Sequence, residues 1–138
     1  MQAAVLSVKL RYLTEWNAPR IRHGSTLARG LGDFEIAPPD IPPAREHNFH
    51  VFVVRCNKRD QLRSFLRERG IETGIHYPVP LHLTTAYQNL GYPSHGSFPV
   101  AESLATEILS LPMYPELFDE QIEYLLSVLH EFTERCKP

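Results

Sequence analysis

Leu6, Leu10, Leu13 and Trp16 recur at spacings of three and four, with Lys9, Arg11 and Glu15 between them. That rhythm predicts an amphipathic helix over residues 2–17, one face of which is built for burial. No Ser, Thr, Asp or Asn stands ahead of it to cap the first turn, so the helix is expected to begin as though cut from a longer one. Pro19 removes a backbone donor and crowds the preceding turn, which predicts an end or kink near Asn17–Ala18 and a second helical piece over 20–31.

Beyond Gly32 the pattern changes. Pro38, Pro39, Pro42 and Pro43 make the stretch up to His47 a stiff surface connection. The β-branched and aromatic run from His47 to Cys56 has apolar residues on both alternating faces, as a central strand covered on two sides would. Asn57 is placed to cap a helix over 58–69, with Leu62, Phe65 and Leu66 inward and Gly70 as its stop. Ile71 to Tyr77 predicts a second strand, ended by Pro78 and Pro80; a short helix over 83–90 and an exposed loop marked by Gly91, Pro93 and Gly96 follow. Pro99 opens a helix to Ser110 that buries Val100, Leu104 and Ile108, residues 111–114 are extended, and Asp119 caps a last helix to Arg135 that buries Ile122, Leu125, Leu126 and Leu129. The fold class is α/β (α+β): a small sheet covered by helices, preceded by a long helix.

At 138 residues, 43% hydrophobic and 22% charged, the chain has the size and composition of one ordinary globular domain. A formal charge of −2 without long runs of either sign offers no footprint for nucleic acid or an anionic membrane. Cys56 and Cys136 form no disulfide framework, no stretch approaches the roughly 18 apolar residues of a membrane span, and the start lacks the features of a signal peptide. A cytoplasmic protein is the expectation.

Seven histidines are the main candidates for chemistry. His47 and His50, three apart in a predicted strand, point to opposite faces and cannot share a metal ion there. His76 and His82 bracket a Pro-rich stretch at a spacing that turns both rings to one side. In an extended chain they lie about 18–20 Å apart, so they either line one elongated groove or cap loop backbone. There is no GxSxG nucleophile, no GxGxxG or GxxxxGK phosphate loop, and Cys56 reads as a small hydrophobe. Tyr12, Trp16, Phe49, Phe52 and Tyr87 lack interleaved basic residues and read as core.

Three ordered blocks are more specific: QAAVLSVKLRYLTEWN, RGIETGIHYPVPLHLTTAYQNLGY, and FPVAESLATEILSLPMYPEL followed by DEQIEYLL. Over nearly its whole length the chain resembles the C-terminal part of the DegT/DnrJ/StrS family of sugar aminotransferases. The resemblance implies an aspartate-aminotransferase-like fold, with residues 1–31 as the linker helix region and 32–138 as the small C-terminal domain. It implies a pyridoxal-phosphate enzyme, a homodimer in the family, that moves an amino group from an amino acid such as glutamate to a keto nucleotide sugar. The products would feed polysaccharide or amino-sugar biosynthesis.

It also implies that His76, Tyr77 and His82, which match the family's HYxxPLH loop, face the substrate near the partner subunit's site. Pro19 departs from the basic or small residue usual at its position. Pyridoxal phosphate requires a lysine. Only Lys9, Lys58 and Lys137 are present, none in a plausible cofactor pocket, so the chain alone is expected to bind no cofactor and to be catalytically incomplete, with no catalytic residue and no metal. The alternatives are a non-catalytic module that binds a nucleotide sugar or an aminotransferase subunit, and a split enzyme whose other half is encoded upstream.

Overall fold

The computed structural model describes residues 1–32, 35–91 and 94–136; Tyr92, Pro93 and Lys137, singled out above, lie outside them. In chain order the elements are α1 (Gln2–Leu10), α2 (Leu13–Leu31), β1 (Phe52–Arg55), α3 (Arg59–Glu68), a 3-10 turn at Leu81–Leu83, α4 (Thr85–Gln88), α5 (Pro99–Glu107), β2 (Ile108–Leu111) and α6 (Asp119–Cys136).

The first helical region breaks at Arg11–Tyr12 and not at Pro19. The Arg11 and Tyr12 amides tighten onto the carbonyls of Val8 and Lys9, and α2 then runs through Pro19. A proline this deep in a helix costs one hydrogen bond, here to the carbonyl of exposed Glu15, which water can reach. Tertiary packing offsets that cost: Leu27 and Leu31 at the far end of α2 are fully buried, and the Arg20 guanidinium donates to the Met113 carbonyl at 3.0 Å.

The predicted strand over 47–56 shrinks to Phe52–Arg55. Upstream, Phe49 adopts φ +49, which a strand cannot contain, and its amide donates to His47 Nδ1. Burial alternates along β1, with Phe52 and Val54 inside and Arg55 outside, so it is a half-buried strand and not one covered on both sides. It pairs antiparallel with β2, Phe52 opposite Leu111 and Arg55 opposite Ile108. Residues 71–77 do not form a strand: Gly74 alone exchanges hydrogen bonds with Ser110, at 3.0 and 2.7 Å. The helix expected to reach Ser110 ends at Glu107. Ile108 to Leu111 turn extended to pair with β1, so Ala105 is the buried α5 residue while Val100 is exposed.

Leu62 and Leu66 of α3 and Ile122, Leu125, Val128, Leu129 and Phe132 of α6 close over this ribbon and meet Leu27 and Leu31 of α2 in one core. Gly30 allows α6 to approach α2 closely, since a Cβ there would lie 2.6 Å from Leu126, and His130 Nε2 donates to the Gly30 carbonyl at 2.7 Å. His23, also buried, accepts from Arg22; burial first and the neighbouring guanidinium second hold its pKa below the usual value, so the ring stays neutral.

Gly24 is required by the ring of Phe49, three of whose carbons lie 2.4–2.8 Å from where a Cβ would stand. Gly24→Ala is therefore expected to destabilise the fold by about 1–3 kcal/mol through overpacking, despite the better helix propensity of alanine. Urea unfolding checks this, and an unchanged midpoint would contradict it.

Candidate functional site

Ser110, in the middle of β2, carries two interactions at once. Its backbone holds Gly74, and its hydroxyl lies 2.9 Å from Nδ1 of His76. The chain leaves the sheet at Gly74, and the His76 ring folds back over that glycine, with Cε1 2.6 Å from the position a Cβ would take. Ser110 engages Nδ1, so Nε2 is the ring nitrogen available to a ligand. Tyr77 follows across a cis peptide bond, its ring edge-on to His76 at 5.7 Å and 75% exposed. These are two solvent-facing polar aromatics, one of them held by a buried hydroxyl.

His76, His50, Glu72, Ser110 and Met113 line a cleft of about 230 Å³. His50 is shared with a neighbouring cavity of about 400 Å³, lined by Trp16, Arg20, Asn48, Tyr114 and Glu116 among others. His50, set aside above as an unsuitable metal ligand, thus stands between two concavities. Among the described residues no group of three His, Cys, Asp or Glu side chains is placed to hold a metal ion.

His82 does not join His76. The 3-10 turn at Leu81–Leu83 interrupts the extended stretch and buries His82 against the Phe98 ring at 4.7 Å, with Nε2 3.0 Å from Glu102 Oε1. Glu102 also accepts from the amides of Gly96 and Phe98 and faces His95 at 3.3 Å. The Gly96 amide foremost, then the Phe98 amide and His82, hold its carboxyl below the usual carboxylate range. Neither Glu102 nor Ser110 carried a local signal, because each meets its histidine across 20 or 34 residues of sequence.

A small antiparallel ribbon sheltered by helices, with a His–Tyr loop leaving its edge beside a cleft that His50, Glu72 and Ser110 help to line, has the fold of the C-terminal part of sugar aminotransferases. Residues 1–130 match the family model for the DegT/DnrJ/EryC1/StrS aminotransferase family, and the chain belongs to that family. It is 44% identical to the "Pleiotropic regulatory protein" of Geobacillus stearothermophilus, over 96% of this chain and 36% of that protein. It is 42% identical to the dTDP-3-amino-3,4,6-trideoxy-alpha-D-glucose transaminase of Streptomyces venezuelae, over 98% of this chain and 36% of that one. In structure it resembles S. venezuelae DesV, solved in complex with a ketimine intermediate, with a TM-score of 0.91 and 41% identity over 97% of this chain and 36% of that chain. The chain thus spans about a third of the length of the relatives it matches.

Family membership implies pyridoxal phosphate in the whole enzyme. The lysines described here do not fit that cofactor. Lys9 lies on exposed α1, and Lys58 is committed to Glu35 at 3.7 Å and to the Cys136 carbonyl at 3.4 Å. Neither lines the His76 cleft. Cys56 offers no alternative nucleophile, since burial raises its pKa.

Proposed function

We propose that this chain supplies the nucleotide-sugar-facing part of a pyridoxal-phosphate-dependent aminotransferase, with residues 1–31 as linker helix and 32–138 as small domain. The observation that carries the reading is His76, which lines a cleft with His50 and Glu72 while Ser110 holds its imidazole, with the exposed Tyr77 next to it in the chain. An imidazole and a phenol hydroxyl suit sugar hydroxyls or a diphosphate. His82 serves the same loop from behind, through Glu102.

The reaction assigned to the whole enzyme is amino transfer from an amino acid such as glutamate to a keto nucleotide sugar, in amino-sugar or polysaccharide biosynthesis in the cytoplasm, with a homodimer as the working form. The cofactor lysine is assigned to the part that this chain does not match, so the chain alone binds no pyridoxal phosphate and does not transaminate. That neither described lysine lines the cleft also favours a second reading, a non-catalytic module that binds a nucleotide sugar or an aminotransferase subunit. In a split enzyme, an upstream-encoded half would complete the site.

Grafting this chain in place of the matching third of the S. venezuelae transaminase tests the first reading. The chimera is expected to transaminate, and His76→Ala to lower kcat/KM by about tenfold or more, the scale of a lost hydrogen bond to a charged group. A folded, cofactor-loaded chimera without activity would favour the second reading, and an active chimera indifferent to His76→Ala would refute the site.

A further inference from the structure

Among the described residues of 77–98, His82 is the only buried one. Tyr77, Val79, Leu81, Leu90 and Phe98 all remain exposed, and none of the described residues of this stretch enters the hydrophobic core. Polar contacts therefore help to hold this stretch in one conformation against the backbone entropy that ordering it removes.

Three polar contacts of this stretch converge on one carboxylate. Glu102, in the first turn of α5, has a side chain only 9% exposed. Its Oε1 accepts from His82 Nε2 at 3.0 Å, near the start of the loop. At the other end the Gly96 amide lies 3.0 and 2.9 Å from its two oxygens, and the Phe98 amide 3.1 Å from Oε1. The Phe98 ring then covers the imidazole it helps to place. Hydrogen bonds to an ionised acceptor are the strong class, and three donors on one sheltered carboxylate form a connected network with no apolar equivalent nearby.

We propose that Glu102 is a positioning residue for the ligand-facing pair: its carboxylate clasps the two ends of the 82–98 loop together and so holds His76 and Tyr77, six and five residues ahead of His82, in register with Ser110. The proposal rests on the reading of His76 and Tyr77 as substrate-facing. It assigns Glu102 no contact with substrate.

The test compares the full chain with Glu102→Ala and Glu102→Gln by amide hydrogen exchange, by the NMR signal of the His76 ring, and by titration with dTDP-glucose. Glu102→Ala is expected to accelerate exchange of the Gly96 and Phe98 amides by about tenfold or more, as loss of charge-assisted bonds requires. It is also expected to shift the His76 ring signal and to weaken dTDP-glucose binding. Glu102→Gln keeps one acceptor oxygen and the side-chain shape but loses the charge, and should fall between the wild type and Glu102→Ala in each readout. Unchanged exchange, or faster exchange with an unmoved His76 ring, would overturn the clasp. If the wild type shows no response to dTDP-glucose while the first two readouts respond, the ligand reading fails and the clasp stands.

Discussion

At rising concentration the 138-residue chain is expected to self-associate, and Leu6→Asp combined with Leu10→Asp to return it to monomer. The reason lies in the first helix, of which no residue is buried. Leu6 and Leu10 are 65% and 67% exposed, and with Leu13 and Trp16 they line an open apolar concavity of about 490 Å³. A nine-residue helix is shorter than the roughly 12–15 residues at which isolated helices become even marginal in water, so α1 requires a partner surface. Burying a leucine contributes about 1.5–3 kcal/mol, enough for a few such side chains to drive association. Under the proposed assignment the rest of an aminotransferase covers this face; in its absence a second copy does. Sedimentation velocity across a concentration series reads the outcome. A monomer at every concentration, with α1 fully helical, would refute the assignment.

Gly74→Ala is expected to weaken ligand recognition by about tenfold, as much as losing the His76 hydrogen bond would, while leaving the fold intact. The new methyl group would stand 2.6 Å from Cε1 of His76, the far end of a side chain that can swing away, and Gly74 does not hold a positive φ that alanine would resist. The backbone therefore accepts alanine, which can even stabilise by about 0.4–1 kcal/mol by restricting the unfolded chain. The imidazole must leave Ser110. Thermal unfolding and a titration on the same sample measure both halves. A variant that binds like the wild type would mean that the position of His76 is irrelevant to binding.

The residues that made this site legible and those that hid it differ in range. The α3 and α6 helices could be read directly, since Leu62 and Leu66 and then Ile122, Leu125 and Leu129 keep helical spacing, and Gly70 (φ +72) ends its helix as glycine should. The His–Tyr loop was visible through the ordered motif blocks. Strand limits were not, because Phe49 breaks extended geometry through its own φ, and because the stretch 71–77 pairs only at Gly74. Pro19 misled for a related reason: the packing of Leu27, Leu31 and Arg20 outweighs a local helix breaker. Ser110 and Glu102, which organise the two halves of the loop, contact their histidines only after the chain has folded.

Titrating the isotope-labelled 138-residue chain with dTDP-glucose and following its amide and imidazole resonances tests the central claim most directly. The account predicts shifts centred on His76, Tyr77, His50 and Ser110 that require about tenfold more ligand in Gly74→Ala. Shifts elsewhere, none at all, or the same titration in the variant would contradict it.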